Sequence, residues 1–174
     1  MAGPEPHISI VIPTFNRARF IQDAVDSCYI GNVASSMVEV IVVDDGSTDD
    51  TSAILEELGD RCRHVRLGAN QGRNRARNIG KSMATGRYVK FLDSDDVLLQ
   101  GSLAVELAAA DDSGADLVVS GWVSVTLAAQ SVARSTRPFA APLMDPVIDS
   151  LLPDVRCQRR RLSMHESWSL TQPG

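Results

Sequence analysis

The stretch VEVIVVDDGSTD (residues 38–49) decides the fold class of this 174-residue chain. Its first six residues form an almost continuous β-branched apolar run, which is typical of a strand buried on both faces of a parallel sheet. The next residues form an acidic turn in which Asp45-Gly46 suits a tight reversal. Ser47 to Asp50 resembles a capping box, so we expect a helix to begin there. A strand that leads through a turn into a helix is one unit of an α/β fold.

The same unit recurs before and after this stretch. Further strands are expected at 8–12 (ISIVI), 64–67 (HVRL), 87–92 (RYVKFL) and 115–125. Apolar stripes at helical spacing predict helices over 19–29, 73–84 and 101–112. This alternation predicts a mainly parallel sheet flanked by helices. The periodicity is lost after about residue 126, so we expect one domain over 8–125 and an irregular or truncated segment over 126–174.

Composition narrows the class of protein further. The formal charge is −5, from 17 basic and 22 acidic residues, which gives no indication of nucleic-acid binding. Cys28, Cys62 and Cys157 have neither CxxC spacing nor an even count, so reduced, partly buried thiols are favoured over metal or disulfide roles. The N-terminus lacks the pattern of a signal peptide, and no apolar run reaches the ~20 residues that span a bilayer. We therefore expect a cytoplasmic protein, with docking on the inner face of a membrane left open.

The distinctive polar residues follow three of the predicted strands. PTFNR (13–17), DDGSTD (44–49) and DSDD (93–96) each begin where a strand ends. In an open α/β sheet, ligands bind outside the carboxyl ends of the strands. If these strands are parallel, the three loops converge on one edge of the sheet, and this edge is the predicted site.

The DSDD loop gathers three carboxylates within four residues, and such charges repel each other unless a cation is near. Asp93 and Asp95 are separated by one residue, so both can approach one point in a turn. Carboxylate oxygens suit Mg²⁺ or Mn²⁺, which is often held by one or two carboxylates and a substrate phosphate. The alternative is a solvated acidic turn in which Asp95 or Asp96 caps a neighbouring amide. Asp45 has a similar ambiguity, between a simple turn and an acceptor for a nucleoside.

In QGRNRARNIG (71–80), Arg73 and Arg77 share one helical face, whereas Arg75 points elsewhere. Guanidinium groups at the start of a helix can assist phosphate binding, because that end already favours anions. The alternative is a solvated basic face. No GxSxG elbow and no GxxxxGK[ST] loop is present, which argues against a hydrolase and a P-loop protein.

Four segments in order resemble the N-terminal half of family 2 glycosyltransferases with the GT-A fold: ISIVIPTFNRARFI (8–21), VEVIVVDDGSTDDT (38–51), NQGRNRARNIG (70–80) and GRYVKFLDSDD (86–96). The resemblance covers about residues 8–125. It implies a nucleotide-sugar site in which the first loop lines the base and ribose pocket through Pro13, Thr14, Phe15 and Asn16. It also implies that Asp45, with Asp44 nearby, contacts the nucleoside. Arg73 or Arg77 would lie near the base or the diphosphate.

Within DSDD, the resemblance makes Asp93 and Asp95 the D-x-D pair. Asp93 would lie by the ribose and the donor, and Asp95 would be the principal ligand of a Mg²⁺ or Mn²⁺ ion. Members are inverting enzymes in which an acceptor hydroxyl displaces the nucleoside diphosphate while a carboxylate base takes its proton. A UDP-sugar is the preferred donor, and a cell-envelope polysaccharide, a lipid-linked glycan or a protein is the acceptor.

The catalytic base has no counterpart in the recognisable motifs, and Glu166 is the only acidic residue after Asp154, so no catalytic residue is assigned. Two alternatives therefore accompany the transferase: a nucleotide-sugar-binding fragment without turnover, and a nucleotidyltransferase. The second is disfavoured, because no Gly-rich, Lys-containing loop follows strand 1. The basic tail (Arg156 and 159–161) could attract anionic lipid, but an unstructured segment is the favoured alternative.

Overall fold

Parallel strands alternating with helices form the body of the protein, as the sequence predicts. The structure is a computed structural model that describes residues 6–31 and 33–120, and the backbone of four later strands. The helices are α1 (Ile21–Ser27), α2 (Thr51–Leu58), α3 (Arg73–Met83) and α4 (Ser102–Ser113). The first five strands are β1 (Ile8–Thr14), β2 (Val38–Asp44), β3 (Arg63–Arg66), β4 (Tyr88–Phe91) and β5 (Leu117–Val119). The later strands are β6 (Val123–Thr126), β7 (Ser131–Arg134), β8 (Phe139–Ala141) and β9 (Leu162–His165).

The main sheet has seven strands in the order β3-β2-β1-β4-β9-β5-β8. Strand β1 pairs in parallel with β2 on one side and with β4 on the other. The chain moves from β1 outward through β2 to β3 and then returns to β4 on the opposite side of β1. The strand order therefore reverses between β1 and β4, which is where open α/β sheets bind ligands.

Helices cover both faces of this sheet, which explains the continuous apolar runs of the central strands. All seven residues of β1 are buried. One core cluster joins Ile8, Ile10 and Ile12 to apolar residues of α1, α2 and α4, and the other joins Val11 and Ile41 to α3. Helix α3 lies very close to β1, because a Cβ built on Gly80 would stand 2.3 Å from Val11 Cγ1. A side chain at position 80 would therefore push away the helix that carries the candidate arginines.

A buried ion pair fixes α4 beside the strand that leads to DSDD. Lys90 Nζ lies 2.8 Å from Glu106 Oε2, and both side chains are almost completely buried. Glu106 also accepts a hydrogen bond from the Ser120 hydroxyl. Because a buried charge needs a partner, this pair specifies where α4 can dock on β4.

The predicted start of the second helix is wrong in detail. Helix α2 begins at Thr51, and its N-cap residue Asp50 makes no side-chain capping bond. Ser47 Oγ instead accepts a hydrogen bond from the backbone N–H of Asn16, and Asp49 Oδ1 accepts from Thr51. A partner from a distant loop has displaced the local capping interaction that the sequence pattern suggested.

The single strand predicted over 115–125 is also wrong. Strand β5 belongs to the main sheet, whereas β6 pairs with β7 in a separate two-stranded sheet. Further along, β9 lies between β4 and β5, and β8 pairs with β5, so the main sheet takes two strands from within the segment 126–174. The division of the chain into 8–125 and 126–174 stays a prediction, because most of the later segment lies outside the described residues.

Two further predictions concern the cysteines and the membrane. Cys28 and Cys62 are buried thiols, as expected, whereas Cys157 lies outside the described residues. Among the helices that the structure describes, none is long and apolar enough to cross a bilayer.

Candidate functional site

A cleft opens at the carboxyl edge of the sheet, beside the reversal point between β1 and β4. Its volume is about 220 Å³. The loops after β1, β2 and β4 meet there together with the start of α3, as predicted. The lining residues are Pro13, Thr14, Phe15, Arg17, Asp45, Asn70, Arg73, Ala76, Asp93, Ser94 and Asp95.

The loop after β1 is held in place by the loop after β2. Asn16 has a positive φ of 52°, a conformation that asparagine tolerates better than most residues. Its side-chain Oδ1 accepts a hydrogen bond from Thr48 N at 2.8 Å, and its own N–H donates to Ser47 Oγ at 2.9 Å. The next residue, Arg17, donates its backbone N–H to Thr51 Oγ1. Asn16 therefore joins the two loops and is not among the residues that line the cleft.

Asp49 adds another link between these loops. Its Oδ2 accepts a hydrogen bond from Ala18 N at 3.1 Å, while Oδ1 accepts from the backbone and the hydroxyl of Thr51. Burial raises the pKa of Asp49, but the hydrogen bonds from Thr51 and Ala18 outweigh it and hold that pKa below its usual value. The polar residues of DDGSTD thus shape the first loop.

The two aspartates at the end of β2 have different environments. Asp44 is completely buried, and its carboxylate accepts hydrogen bonds from Ser47 N and Ser52 Oγ. Asp45 faces the cleft, and its two oxygens accept the N–H groups of Gln71 and Gly72, each at 2.8 Å. A carboxylate has about four acceptor positions, so Asp45 retains capacity for a ligand.

Gly46 allows this turn to approach the segment before α3. Its φ is +79°, and a Cβ there would lie 2.9 Å from the carbonyl carbon of Ala69. The side chain of any other residue would separate Asp45 from the N–H groups of Gln71 and Gly72, whose hydrogen bonds it accepts.

Asp93, at the end of β4, is bound by both candidate arginines. Arg77 Nη2 lies 2.6 Å from Asp93 Oδ1, and Arg73 Nη1 lies 3.2 Å from Oδ2. The prediction that Arg73 and Arg77 share a helical face is therefore confirmed. Only Arg73 lines the cleft, because Arg77 lies deeper, with its guanidinium 5.8 Å from the centre of the Phe91 ring.

Asp95 is exposed and pairs with Arg17, whose Nε lies 3.6 Å from Asp95 Oδ2. The turn between the two acids is closed by a hydrogen bond from Asp96 N to Asp93 O at 3.0 Å. Guanidinium groups thus supply the cations that the crowded carboxylates of DSDD require. Nearby, Thr14 lines the cleft, and its hydroxyl oxygen is buried and has no hydrogen-bond partner among the described residues.

The cleft contains seven of the ten predicted site residues: Pro13, Thr14, Phe15, Asp45, Arg73, Asp93 and Asp95. Asn16, Asp44 and Arg77 lie outside its lining and instead support residues that form it. Sequence reasoning did not assign Arg17, Asn70, Ala76 or Ser94. Arg17 belongs to the PTFNR loop and Ser94 lies between Asp93 and Asp95. Both could have been predicted if every residue of these loops had been counted as a site residue. Glu166 lies outside the described residues.

The acids of the cleft suit a hard divalent cation only in part. Among the residues that the structure describes, no group of three or more His, Cys, Asp or Glu side chains could hold a metal ion. Asp93 and Asp95 offer two carboxylates on one turn, which matches the way Mg²⁺ binds through few protein ligands and substrate phosphates. The residues therefore fit a cation that arrives with a diphosphate better than one held by the protein alone.

The fold and this cleft define a class of protein: an α/β protein with a cleft at the reversal point of a parallel sheet, lined by carboxylates and guanidinium groups. The model of the family "Glycosyl transferase family 2" matches residues 9–162. The chain belongs to this family.

Individual relatives agree with this assignment. The chain is 37% identical over 111 residues to the GalNAc(5)-diNAcBac-PP-undecaprenol β-1,3-glucosyltransferase of Campylobacter jejuni. The aligned region covers 62% of this chain and 35% of the relative. S. aureus TarS (residues 1–349), solved in complex with UDP-GlcNAc, has a TM-score of 0.61 and 31% identity, covering 65% of this chain and 34% of TarS. The mannosyltransferase PcManGT of Pyrobaculum calidifontis, solved with GDP-Man and Mn²⁺, has a TM-score of 0.61 and 27% identity, covering 67% of this chain and 35% of that protein.

These neighbours confirm the GT-A fold predicted from the sequence. The chain spans about a third of the length of each of these three proteins.

Proposed function

We propose that this chain forms the donor-binding part of an inverting, metal-dependent glycosyltransferase that takes a sugar from a nucleoside diphosphate. The observation that carries the proposal is the meeting of Asp45, Arg73, Asp93 and Asp95 in one cleft at the reversal point of the sheet. These groups offer acceptors for a nucleoside, a cation for a diphosphate and ligands for a divalent metal. Membership of the family supports the same assignment.

Each group then has a role in binding the donor. Asp45 accepts hydrogen bonds from the nucleoside, because it lines the cleft and retains acceptor positions. Thr14 lines the same cleft, and its buried hydroxyl, which has no partner among the described residues, supplies a further hydrogen bond once the ligand binds. Arg73 is exposed and leaves Asp93 to bind the diphosphate. Asp95, with Asp93, would hold a Mg²⁺ or Mn²⁺ ion, which would stabilise the negative charge of the leaving diphosphate.

The donor is proposed to be a UDP-sugar. The complex of TarS with UDP-GlcNAc supports this choice. The complex of PcManGT with GDP-Man and Mn²⁺ supports a divalent metal and makes a GDP-sugar the alternative donor. The acceptor is proposed to be a glycan of the cell envelope, free or lipid-linked, because the Campylobacter jejuni relative is named for a glycan on undecaprenol diphosphate. Work on a lipid-linked acceptor would place the protein at the cytoplasmic face of a membrane.

A thermal-shift screen of UDP-, GDP- and dTDP-sugars, each with and without Mn²⁺, tests the donor site. A ligand stabilises the folded state by about 2.7 kcal/mol at a hundred times its dissociation constant. We expect UDP-sugars to raise the melting temperature most, and more with Mn²⁺ than without it. If none of the nucleotide sugars raises it, the donor-site proposal is wrong.

A second measurement separates the enzyme from the binding fragment. Release of UDP from a UDP-sugar in the presence of Mn²⁺ would support a transferase. UDP binding without any hydrolysis or transfer to a glycan acceptor would support the nucleotide-sugar-binding alternative.

A further inference from the structure

We infer that Arg77 is a positioning residue, which fixes the Asp93 carboxylate in the cleft and does not itself contact the donor. The inference rests on the proposed function and deepens it, because it assigns different tasks to the two arginines of α3. The sequence could not separate them, since both lie on one helical face and both were candidates for the base or the diphosphate.

The environments of the two arginines are unlike. Arg77 is only 14% exposed, whereas Arg73 is 61% exposed. The Arg77 contact with Asp93 is the shorter of the two, at 2.6 Å against 3.2 Å. Arg73 lines the cleft and Arg77 does not. A ligand in the cleft can therefore reach Arg73 directly, whereas Asp93 stands between the cleft and Arg77.

The surroundings of Arg77 also limit its movement. Helix α3 packs against β1 and β2, and the guanidinium lies beside Phe91, the last residue of β4. Arg77 Nε is buried and has no acceptor among the described residues. A mostly buried guanidinium with one N–H already unpaired has a strong electrostatic reason to keep the Asp93 carboxylate as its partner, because losing that partner would leave its charge uncompensated.

This division of tasks explains how Asp93 can keep its orientation while its charge environment changes. When an anionic ligand draws Arg73 away, Arg77 still binds Oδ1 and leaves Oδ2 directed at the cleft. A planar guanidinium fixes a carboxylate through directional N–H groups, whereas a lysine ammonium on a flexible stem acts as a point charge. The geometry of Arg77, and not merely its charge, is therefore the feature that matters.

A double-mutant cycle on the full chain tests the inference, with UDP in the presence of Mn²⁺ as the probe and calorimetry as the measurement. We expect Arg77→Gln to weaken UDP binding about tenfold in the wild-type background. In the Asp93→Asn background the same change should have almost no further effect, because the carboxylate that Arg77 positions is already altered. Arg73→Gln is the matched control from the same helix. Its loss should persist in the Asp93→Asn background, since Arg73 acts on the ligand directly.

Arg77→Lys guards against a variant that fails to fold, because it retains the buried charge. We expect this variant to melt near the wild-type temperature and yet to bind UDP as weakly as Arg77→Gln. Wild-type affinity in Arg77→Lys would overturn the inference, and so would an undiminished effect of Arg77→Gln in the Asp93→Asn background. If the wild-type protein binds no UDP with Mn²⁺, the proposed function fails first and the inference fails with it. A wild type that binds UDP without coupling between Arg77 and Asp93 rejects the inference alone.

Discussion

Carboxylates lie at both ends of the parallel strands of the main sheet, the amino ends (the amino edge) and the carboxyl ends (the carboxyl edge). The partners of these carboxylates differ between the two ends. At the amino edge, Glu39 and Asp111 accept hydrogen bonds from several groups of the surrounding backbone and side chains. At the carboxyl edge, Asp93 is paired with the exposed Arg73 and the mostly buried Arg77, and Asp95 is paired with the exposed Arg17. The first arrangement joins elements of the fold together, and the second leaves partners that a ligand can replace.

Glu39 shows what a carboxylate does at the amino edge. Its side chain is 11% exposed and accepts hydrogen bonds from Ser9 Oγ, from the backbone and hydroxyl of Thr85, and from Arg63. Burial raises the pKa of Glu39, but these hydrogen bonds outweigh it and hold that pKa below its ordinary value. They connect β2 to β1, to β3 and to the turn before β4, so Glu39 joins three neighbouring strands.

Asp111 performs a similar task for the other side of the sheet. It binds His7 before β1, and Arg87 and Tyr88 at the start of β4, from its position in α4. The hydrogen bond from Tyr88 is the main cause that holds the pKa of Asp111 below its usual value. The partners of an acid, and not its residue type, therefore separate a carboxylate that joins elements of the fold from one that a ligand could reach, because Glu39 and Asp111 bind several fixed groups whereas Asp95 is exposed.

The largest effect is expected from Asp95→Ala. Losing the proposed metal ligand should reduce Mn²⁺-supported UDP binding or transfer by roughly a hundredfold or more, because the diphosphate charge loses its stabilisation. The melting temperature should change little, since Asp95 is exposed and its pair with Arg17 is an exposed one. Calorimetric titration of UDP with and without Mn²⁺ measures the effect.

Asp111→Asn is the matched control at the opposite edge. It should lower stability and leave UDP binding unchanged. If Mn²⁺ still strengthens UDP binding in Asp95→Ala, Asp95 is not the metal ligand.

Glu39→Gln should have the opposite signature. The amide cannot accept all the hydrogen bonds that the carboxylate accepts, so the free energy of unfolding should fall by about 2 kcal/mol. UDP affinity, measured at a temperature where the variant is folded, should match the wild type. A loss of affinity without a loss of stability would remove the distinction between the two edges.

The pH dependence of stability sharpens this result. The folded-state pKa of Glu39 is lowered from its ordinary value of 4.5, so its contribution is fully present above that value and is lost as the pH falls through the folded pKa. The stability difference between the wild type and Glu39→Gln should therefore be largest at neutral pH and shrink below pH 4.5. Urea unfolding of both proteins at several pH values measures it. An unchanged difference in acid would show that the charge of Glu39 is unimportant.

The smallest effect is expected from Tyr88→Phe. Tyr88 is almost completely buried, and its hydroxyl donates a hydrogen bond to Asp111 Oδ1 at 2.5 Å. Burial and the interaction with Asp111 raise the pKa of Tyr88 to about 12. Removing the hydroxyl should lower the free energy of unfolding by about 1 kcal/mol and leave UDP binding intact. Chemical denaturation together with the UDP titration would detect any departure from this pattern.

The central strands and their polar loops were predictable because two signals agree there. Continuous apolar runs such as those of β1 and β2 predict strands covered on both faces, and each run ends at a polar motif. Parallel pairing then places those motifs at one edge, so the location of the cleft followed from the sequence. The shared face of Arg73 and Arg77 followed from the helical repeat in the same way.

The predictions failed where a contact with a distant part of the chain overrides a local sequence pattern. Ser47 suits a helix cap, but it accepts the N–H of Asn16 from a loop 31 residues away. Strands β5 and β6 form one apolar stretch in sequence, yet they enter different sheets. Local sequence patterns indicate which face of an element is apolar, but they do not indicate which distant group that element contacts.

The sequence alone therefore determined the α/β class, the three loops that meet and the residue types that a donor and a metal would need. Tertiary structure decided which of those residues face the cleft. It buried both Asp44 and Asp45 but placed only Asp45 in the lining of the cleft, although the two are neighbours in one motif. It also made Arg77 mostly buried and left Arg73 exposed, although both arginines bind Asp93. The physical reason is that burial and ion pairing depend on how α3 and the loops pack on β1, β2 and β4, which the helical and strand periods do not encode.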